Sequence, residues 1–259
     1  MRDPGLSEAI RAAGSVSELA RRLRISQPSV SNWTRIPADR VVAVEEATGI
    51  GRELLRPDLF QRDDVTEREI DEVDAARAQE YALLALLLAR TPDADLLGRL
   101  AALKADPTPL GLAHAGLAAV ARETEVAAVE REYFNLFIGL GRGELVPYGS
   151  YYLTGFLHER PLARLRGDLA ALGIARAEGN AEPEDHIATL CEVMAGLCGG
   201  RFDAPAGSDQ RMFERHLAPW AGRFFADLEG ATEARFYRAV GSLGRTFMAI
   251  ETEAYALPS

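Results

Sequence analysis

The chain has 259 residues, of which 47% are hydrophobic and 26% charged, and its net charge is −10. This composition is typical of a soluble globular protein, and the longest apolar run, residues 81–89, is too short to cross a bilayer. Two cysteines, Cys191 and Cys198, give no disulfide framework and no zinc-ligand spacing, so we expect buried, unreactive thiols. No charged-then-apolar leader is present, and we therefore expect a cytoplasmic protein without membrane insertion.

The charge is unevenly distributed along the chain. Residues 1–60 contain 9 Arg against 8 Asp and Glu, a charge of +1, which leaves 20 basic and 31 acidic residues, a charge of −11, in residues 61–259. This asymmetry predicts two domains, 1–60 and 61–259, with different partners. The acidic domain should repel nucleic acid and attract cationic peptides.

Residues 1–60 read as four short helices separated by clear stop and start signals. Glycine ends a helix in the left-handed conformation, serine caps the start of the next, and proline is tolerated in a first turn. The second and third helices should pack as a helix-turn-helix pair, with Ala20 at their contact. The signal residues are Gly14, Ser15 or Ser17, Ser26, Pro28, Pro37 and Gly49, and the packing residues are Val16, Leu19, Leu23, Ile25, Val30 and Trp33.

The polar side chains of the third helix should face outward and read DNA. Gln and Asn pair with adenine, and Arg with guanine or phosphate. The segment 19–44 carries five Arg and one acidic residue, a local charge of +4. The predicted DNA-binding residues are Gln27, Ser29, Ser31, Asn32 and Arg35.

Residues 5–60 resemble the Cro-like helix-turn-helix family, through the segments 31–40 and 44–49. The turn between the two helices has Arg24 where glycine is usual, which predicts a strained or reshaped turn. Strong binding to operator DNA usually needs two such units, so DNA binding would imply a homodimer. A small helical bundle used for protein contact is the alternative.

Residues 61–259 are predicted to be all-α, with eight to ten helices and no alternating strand pattern. Thr66 and Glu69 fit a capping box, and a long helix should follow to about Arg90. The widest internal break, residues 173–183, is rich in Gly and Pro and predicts a hinge between two helical halves.

Two stretches of this domain stand out. Residues 130–162 are the most aromatic part of the chain and surround a broken loop, which suits either the core or a peptide groove. In Glu182–His186, Pro183 and the acidic residues suit the first turn of a helix, which leaves His186 unexplained. Glu182 and His186 lack the further ligands that a metal site needs, and no nucleophile or cofactor motif accompanies them. The loose glycine pattern at 139–144 follows no strand, so it is weak evidence for nucleotide binding. A recognition surface for cations is the interpretation that remains.

The same positions resemble the TorD/DmsD-type chaperones of molybdenum-containing redox enzymes, over about residues 66–255. The motif segments are 133–139, 147–152 and 182–186. The resemblance implies an all-α fold with a hinge, no enzymatic activity, no bound cofactor or metal, and a groove for a twin-arginine signal peptide. The implied site residues are Tyr133, Leu136, Phe137, Pro147, Tyr148, Ser150, Tyr152, Glu182, Asp185 and His186.

The resemblance also implies the partner, which is the apo form and signal peptide of a molybdoenzyme of the formate dehydrogenase or DMSO reductase type. We therefore expect a cytoplasmic maturation chaperone with an appended DNA-binding domain that couples maturation to transcription. The alternative is a transcription regulator whose C-terminal domain senses a peptide or ligand.

Overall fold

The computed structural model describes residues 3–60, 71–104, 106–176 and 182–257, and the chain divides into two compact units, Met1–Thr66 and Glu67–Ser259. Every regular element in these described ranges is a helix, so the prediction of an all-α fold is confirmed. The predicted domain boundary at residue 60 adjoins residues 61–70, which lie outside the described ranges, and it stays a prediction.

Residues 3–60 of the N-terminal unit, which the structure describes, contain six short helices, two more than predicted, and the serine and glycine signals act as the sequence predicts. The Ser15 and Ser26 side chains accept hydrogen bonds from the backbone amides three residues later, and Gly14 and Gly49 end helices with φ of 94° and 73°. A 3-10 turn precedes the fourth helix. The helices are α1 (Pro4–Ala13), α2 (Val16–Arg22), α3 (Gln27–Ser31), α4 (Val41–Thr48), α5 (Arg52–Leu55) and α6 (Pro57–Phe60).

The core of this unit lies where α2 and α3 meet the other helices. Leu19, Ala20 and Val30 are buried, and the other predicted packing residues are partly buried against them. The turn between α2 and α3 places Arg24 at φ 56°, in the left-handed region that disfavours side chains. The strained turn predicted from the missing glycine is therefore confirmed.

The C-terminal unit contains ten helices in its described residues, at the upper end of the predicted number. The helix α13 packs along α7, and α16 packs against α15 and α9. The helices are α7 (Glu72–Ala89), α8 (Ala94–Ala101), α9 (Pro109–Glu123), α10 (Val126–Tyr133), α11 (Gly149–Thr154), α12 (Arg160–Ala171), α13 (Ile187–Cys198), α14 (Ser208–Met212), α15 (Ala221–Gly230) and α16 (Phe236–Ala256).

The long helix α7 begins later than the capping box predicted. Its N-cap is Asp71, whose side chain accepts a hydrogen bond from the Asp74 amide. Thr66 and Glu69 lie outside the described residues, as do residues 177–181 of the predicted hinge, so the hinge stays a prediction. Within the described ranges, no helix combines the length and apolar character that crossing a bilayer requires.

Two π-helical turns interrupt the helical pattern of this unit, at Phe134–Ile138 and Phe213–Leu217. The first continues α10 and leads into the Gly-rich loop ahead of α11, which places the aromatic stretch of the sequence at an irregular part of the fold. Single π-helical turns of this kind are frequent at functional sites.

A buried carboxylate fixes the start of the last helix. Glu132, on α10, accepts hydrogen bonds from the backbone amides of Arg235 at 2.8 Å, Phe236 at 3.1 Å and Tyr237 at 2.6 Å. These amides have no partner inside α16, because the first turn of a helix leaves its N–H groups free. The carboxylate therefore joins α10 to α16 next to the aromatic stretch.

Candidate functional site

Parts of the motif segments 147–152 and 182–186 pair backbone to backbone although they lie about 35 residues apart in sequence. The Gly149 amide donates to the Asp185 carbonyl at 2.9 Å, and the Ile187 amide donates to the Pro147 carbonyl at 2.9 Å. These bonds form an isolated antiparallel bridge between Tyr148 and His186. The second and third motifs are therefore brought together in the folded chain, at what we call the candidate site.

Asp185 lies inside this site rather than on its surface. Its side chain is 3% exposed, and its Oδ2 accepts a hydrogen bond from the Ser150 amide at 2.7 Å, in the first turn of α11. The sequence suggested a recognition surface for cations around Asp185, but the free amide at the start of α11 already occupies this carboxylate oxygen. Ser150, which the resemblance places in the peptide site, is also buried.

The other carboxylate oxygen of Asp185 has no hydrogen-bond partner among the described residues, and neither has the Ser150 hydroxyl. Asp185 borders a cavity of about 280 Å³, which is also lined by Leu153, Arg164 and Trp220. A ligand that donates a hydrogen bond into this cavity would satisfy a buried polar atom that the protein leaves unpaired.

His186 is the N-cap of α13. Its Nδ1 accepts a hydrogen bond from the Ala188 amide at 3.2 Å, and burial lowers its pKa, which keeps the ring neutral. The helix begins at Ile187, so the predicted start at Pro183 is wrong. The His186 amide closes a turn onto the Pro183 carbonyl at 3.1 Å, and His186 itself is extended and forms the bridge to Tyr148.

The acidic residues ahead of this helix therefore have other roles. Glu184 forms an ion pair with Arg166 at 2.8 Å. Glu182 is exposed and accepts a hydrogen bond from the Tyr148 hydroxyl. The Tyr148 ring packs edge to face on His186, with centroids 5.0 Å apart, and burial and the Glu182 charge raise the pKa of Tyr148. Tyr148 and Glu182 are thus the accessible part of the motif.

The first motif supplies an aromatic cluster. The rings of Tyr133 and Phe137 lie 5.0 Å apart, and both contact Tyr237 of α16, at 5.8 and 5.3 Å. Leu136, between them, is fully buried and belongs to the core. The Tyr133 hydroxyl donates to the Leu88 carbonyl at 3.3 Å. Tyr133 and Phe137 are partly exposed, so part of each ring is free to contact a ligand.

Burial divides the ten predicted peptide-site residues into two groups of five. The buried group holds the geometry of the site and consists of Leu136, Pro147, Ser150, Asp185 and His186. The accessible group offers aromatic faces and one carboxylate and consists of Tyr133, Phe137, Tyr148, Tyr152 and Glu182.

Tyr152 connects this site to α15, a contact that the motifs did not predict. Its ring packs on Trp220 at 5.4 Å, and its hydroxyl donates to Asp227 at 3.0 Å. The sequence interpretation also missed Arg142, whose guanidinium donates to the Tyr151 hydroxyl at 2.6 Å. No periodicity or spacing signals such contacts, because a loop and a helix end meet only in the folded chain.

The predicted DNA-reading residues are unevenly accessible. Gln27, Ser29 and Asn32 are exposed, whereas Ser31 is half-buried and accepts a hydrogen bond from the Gln27 side chain at 3.0 Å. Arg35 is exposed but forms ion pairs with two acidic residues of its own unit, Asp3 at 3.2 Å and Asp58 at 3.1 Å.

Most of the local positive charge of the helix-turn-helix segment is paired within the unit. Arg21 and Arg22 contact Glu18 at 2.6 and 3.4 Å, and Arg40 contacts Asp39 at 3.3 Å. Arg24 is exposed and forms no ion pair with the described residues. Exposed ion pairs of this kind are weak, so their partners hold these arginines only loosely.

Cys191 and Cys198 are both free and buried, as predicted. Burial raises the pKa of the Cys198 thiol to about 12, which keeps it protonated and unreactive. Among the described residues, no three His, Cys, Asp or Glu side chains are arranged to hold a metal ion.

Comparison with known proteins matches each unit to a family. The nitrate reductase delta subunit family matches residues 103–226, and the bacterial toxin YdaS family matches residues 6–63. Two proteins named chaperone protein TorD are similar to this chain. The one from Aliivibrio fischeri is 26% identical over 51% of this chain and 66% of its own length, and the one from Shewanella loihica is 25% identical over 71% of this chain and 96% of its own length.

The C-terminal unit is similar to the TorD chaperones, and we call it the TorD-like domain. The N-terminal unit is similar to the bacterial toxin YdaS family. Both predicted resemblances are therefore confirmed. The relatives of the TorD-like domain are named as chaperones, which agrees with the prediction that the chain is not an enzyme. A solved structure described as a redox enzyme maturation protein from Archaeoglobus fulgidus covers 67% of this chain and 93% of its own, with 22% identity and a TM-score of 0.46.

Proposed function

We propose that this protein is a cytoplasmic chaperone for a molybdenum-cofactor oxidoreductase, and that its TorD-like domain binds the twin-arginine signal peptide of the apoprotein. The observation that carries the proposal is the pairing of the Tyr148 and His186 segments, which presents the Tyr148–Glu182 pair beside the aromatic cluster. The names of the relatives support the same role.

The accessible residues fit a peptide that carries arginine. A carboxylate such as Glu182 binds a guanidinium through charge-assisted hydrogen bonds, and tyrosine rings stack on its plane. Residues 61–259 carry a charge of −11, which attracts a basic peptide to the domain. Asp185 and His186 act as positioning residues, because both are buried and hold the two segments together.

The client in this proposal is a molybdoenzyme of the formate dehydrogenase or DMSO reductase type. The chaperone holds the apo form until the client receives its own cofactor, and it needs no cofactor itself. Binding is therefore the whole activity, and the test is a binding experiment rather than an assay of turnover.

The experiment titrates the protein into fluorescently labelled twin-arginine leader peptides of the molybdoenzymes encoded in the same genome, and measures anisotropy. Glu182→Gln and Tyr148→Phe should each weaken binding by about tenfold, which corresponds to the loss of one charged hydrogen bond of about 1.4 kcal/mol. Glu123→Gln, an exposed acidic residue at the end of α9, is the matched control and should bind like the wild type. Failure of every leader to bind the wild-type protein would overturn the proposal.

A second function, regulation of transcription, is favoured by the helix-turn-helix geometry and by the exposed Gln27 and Asn32 in α3. In this proposal the unit binds operator DNA as a homodimer, and the free client signal peptide changes that affinity through the TorD-like domain. If the TorD-like domain instead serves mainly as a sensor of a peptide or ligand, the signal peptide should change operator affinity in the same way. Operator affinity is measured with and without the leader peptide, and equal affinities would exclude the coupling.

A further inference from the structure

Arg24 occupies a helix end that normally selects glycine. The helix α2 is capped at its C-terminus by Leu23, after which the Arg24 amide donates to the Arg21 carbonyl at 3.2 Å and the Ile25 amide to the Ala20 carbonyl at 3.0 Å. These two hydrogen bonds form a Schellman motif, in which the residue after the cap is left-handed and is usually glycine. Arg24 is that residue, and its φ is 56°.

The unit uses glycine at its other left-handed helix ends. Gly14 and Gly49 follow α1 and α4 with φ of 94° and 73°. Glycine adopts this conformation without the clash that the Cβ atom of arginine makes. Residues held in such a strained conformation are found mainly at functional sites, so the arginine at this position asks for a function.

The guanidinium of Arg24 also differs from the others of its unit in having no carboxylate beside it. Within residues 3–60, every other arginine contacts an Asp or Glu of the same unit. Arg24 is exposed and forms no ion pair with the described residues. The sequence has no acidic residue between Glu18 and Asp39, and Glu18 itself contacts Arg21 and Arg22.

Arg24 lies directly ahead of the helix that is predicted to read DNA. Ser26, two residues later, is the N-cap of α3, and Gln27 and Asn32 of the same segment are exposed. Contacts to DNA phosphates fix the register and orientation of a protein on the duplex, whereas contacts to base edges read the sequence. A free cation in this turn is therefore placed where a phosphate contact would orient α3.

We propose that the Arg24 guanidinium binds a phosphate of the DNA backbone and thereby positions α3 on the duplex. The assignment rests on the proposed DNA binding of the N-terminal unit, and it adds a residue to the five predicted to contact DNA. A guanidinium binds phosphate through two parallel, charge-assisted hydrogen bonds. A phosphate that binds one of the paired arginines must displace a carboxylate, whereas at Arg24 it displaces only water.

The test compares three substitutions of Arg24 in the full chain. Arg24→Gly removes both the charge and the strain, Arg24→Gln removes the charge alone, and Arg24→Lys keeps both. Arg11→Gln, at a side chain of α1 that is 77% exposed and outside the helix-turn-helix pair, is the control for the loss of one positive charge.

DNA binding is measured by the anisotropy of a fluorescein-labelled duplex of about 20 base pairs and arbitrary sequence, because phosphate contacts do not depend on sequence. Titrations at four NaCl concentrations between about 0.05 and 0.2 M give the slope of log affinity against log salt. Arg24→Gly and Arg24→Gln should each weaken binding by about threefold to tenfold and reduce the slope by about 1. Arg24→Lys and Arg11→Gln should keep the slope of the wild type.

Stability should change in the opposite direction. Arg24→Gly relieves the strained conformation and should raise the melting temperature of the N-terminal unit by about 4 °C, whereas Arg24→Gln and Arg24→Lys should leave it unchanged. Fluorescence of Trp33 reports this melting in a Trp220→Phe background, which leaves Trp33 as the only tryptophan. The variant with the most stable N-terminal unit should therefore be among the weakest in binding DNA. If Arg24 had only a structural role, DNA affinity would follow stability instead.

Wild-type affinity and salt slope in Arg24→Gly would overturn the assignment of Arg24, while the DNA binding of the unit would stand. An equal loss in Arg11→Gln would also overturn it, because the effect would then come from net charge and not from one contact. If the wild-type protein does not bind the duplex, both the DNA binding and the role of Arg24 fail, and the proposed binding of the signal peptide is unaffected.

Discussion

At the scale of single residues, the motif side chains that look chemically active serve the geometry of the site. Asp185 caps α11 from a distant segment, and His186 caps its own helix. Neither side chain is exposed, so their contribution to binding is to fix where Tyr148 and Glu182 lie. This role predicts effects on stability that an exposed binding residue would not have.

Replacing Asp185 tests its role as a cap. Asp185→Ala removes the acceptor of a buried amide and should lower the free energy of unfolding by about 1–3 kcal/mol. Asp185→Asn keeps one oxygen toward the Ser150 amide and should cost less. Urea unfolding is followed by tryptophan fluorescence in a Trp33→Phe background, which leaves Trp220 of the TorD-like domain as the only tryptophan. Asp95→Ala, at an exposed residue of α8, is the control, and an equal effect there would contradict the role of Asp185.

His186 should make the stability of the domain depend on pH. Burial lowers its pKa, so the unfolded chain binds the proton more tightly than the folded one. The stability that neutral His186 contributes is therefore present above its ordinary pKa of about 6.5 and is lost as the pH falls through the lower folded value.

His186→Asn should flatten the fall in unfolding free energy between about pH 7 and 5, since the Asn oxygen can still cap the Ala188 amide. His158→Asn is the control, because His158 is exposed and its φ of 60° suits Asn. Urea unfolding at a series of pH values measures both variants. If the free energy of unfolding of His186→Asn depends on pH as that of the wild type does, His186 is not the buried neutral histidine that causes the pH dependence.

At the scale of elements, the first turns of two helices of the TorD-like domain are capped by carboxylates that belong to other segments of the chain. The Asp185 side chain accepts a hydrogen bond from an amide at the start of α11, and the Glu132 side chain does so at the start of α16. Glu144 also accepts hydrogen bonds ahead of α16, from the amides of Thr232 at 2.7 Å and Glu233 at 3.1 Å. Each carboxylate satisfies amides that a helix start leaves free and thereby sets the position of one helix against another.

The two carboxylates ahead of α16 should differ in their effect on stability. Glu132 is buried and satisfies three amides, so Glu132→Ala should lower the free energy of unfolding by about 2–4 kcal/mol. Glu144 is exposed, so water replaces it and Glu144→Ala should cost about 1 kcal/mol or less. Urea unfolding reported by Trp220 measures both variants. Equal costs would mean that burial does not set the strength of these caps.

At the scale of the whole molecule, the charge of the two units is consistent with two different partners. The N-terminal 60 residues carry +1 and the remainder carries −11. The acidic unit is the TorD-like domain, which carries the exposed Glu182. Electrostatic attraction and apolar burial respond differently to salt, so the two contributions to peptide binding can be separated.

Raising NaCl from about 0.05 to 0.5 M should weaken binding of the intact leader peptide by about tenfold, because salt screens the attraction of the basic segment. Glu182→Gln should show a smaller salt dependence, and the control Glu123→Gln should keep that of the wild type. Anisotropy titrations at four salt concentrations give the slopes. A salt-independent affinity of the wild type would exclude electrostatic recognition of the peptide.

The sequence by itself determined the helical class, the two families and the local helix signals. Gly14, Ser15, Ser26 and Gly49 act as predicted because a cap involves residues at most a few positions apart, which the sequence displays directly. The helix start predicted at the acidic residues before α13 is wrong for the complementary reason. The local pattern suits a helix, but hydrogen bonds with residues 147–150 hold Asp185 and His186 outside the helix, which begins at Ile187.

Only the tertiary structure decided which motif residues are accessible. The side chain of Asp185 is buried by a segment 35 residues earlier in the chain, and Arg35 is paired with Asp3 and Asp58, 32 and 23 residues away. The same holds for the contact between Arg142 and Tyr151. Such contacts follow no helical period, because they depend on how helices pack rather than on the order of residues within one helix.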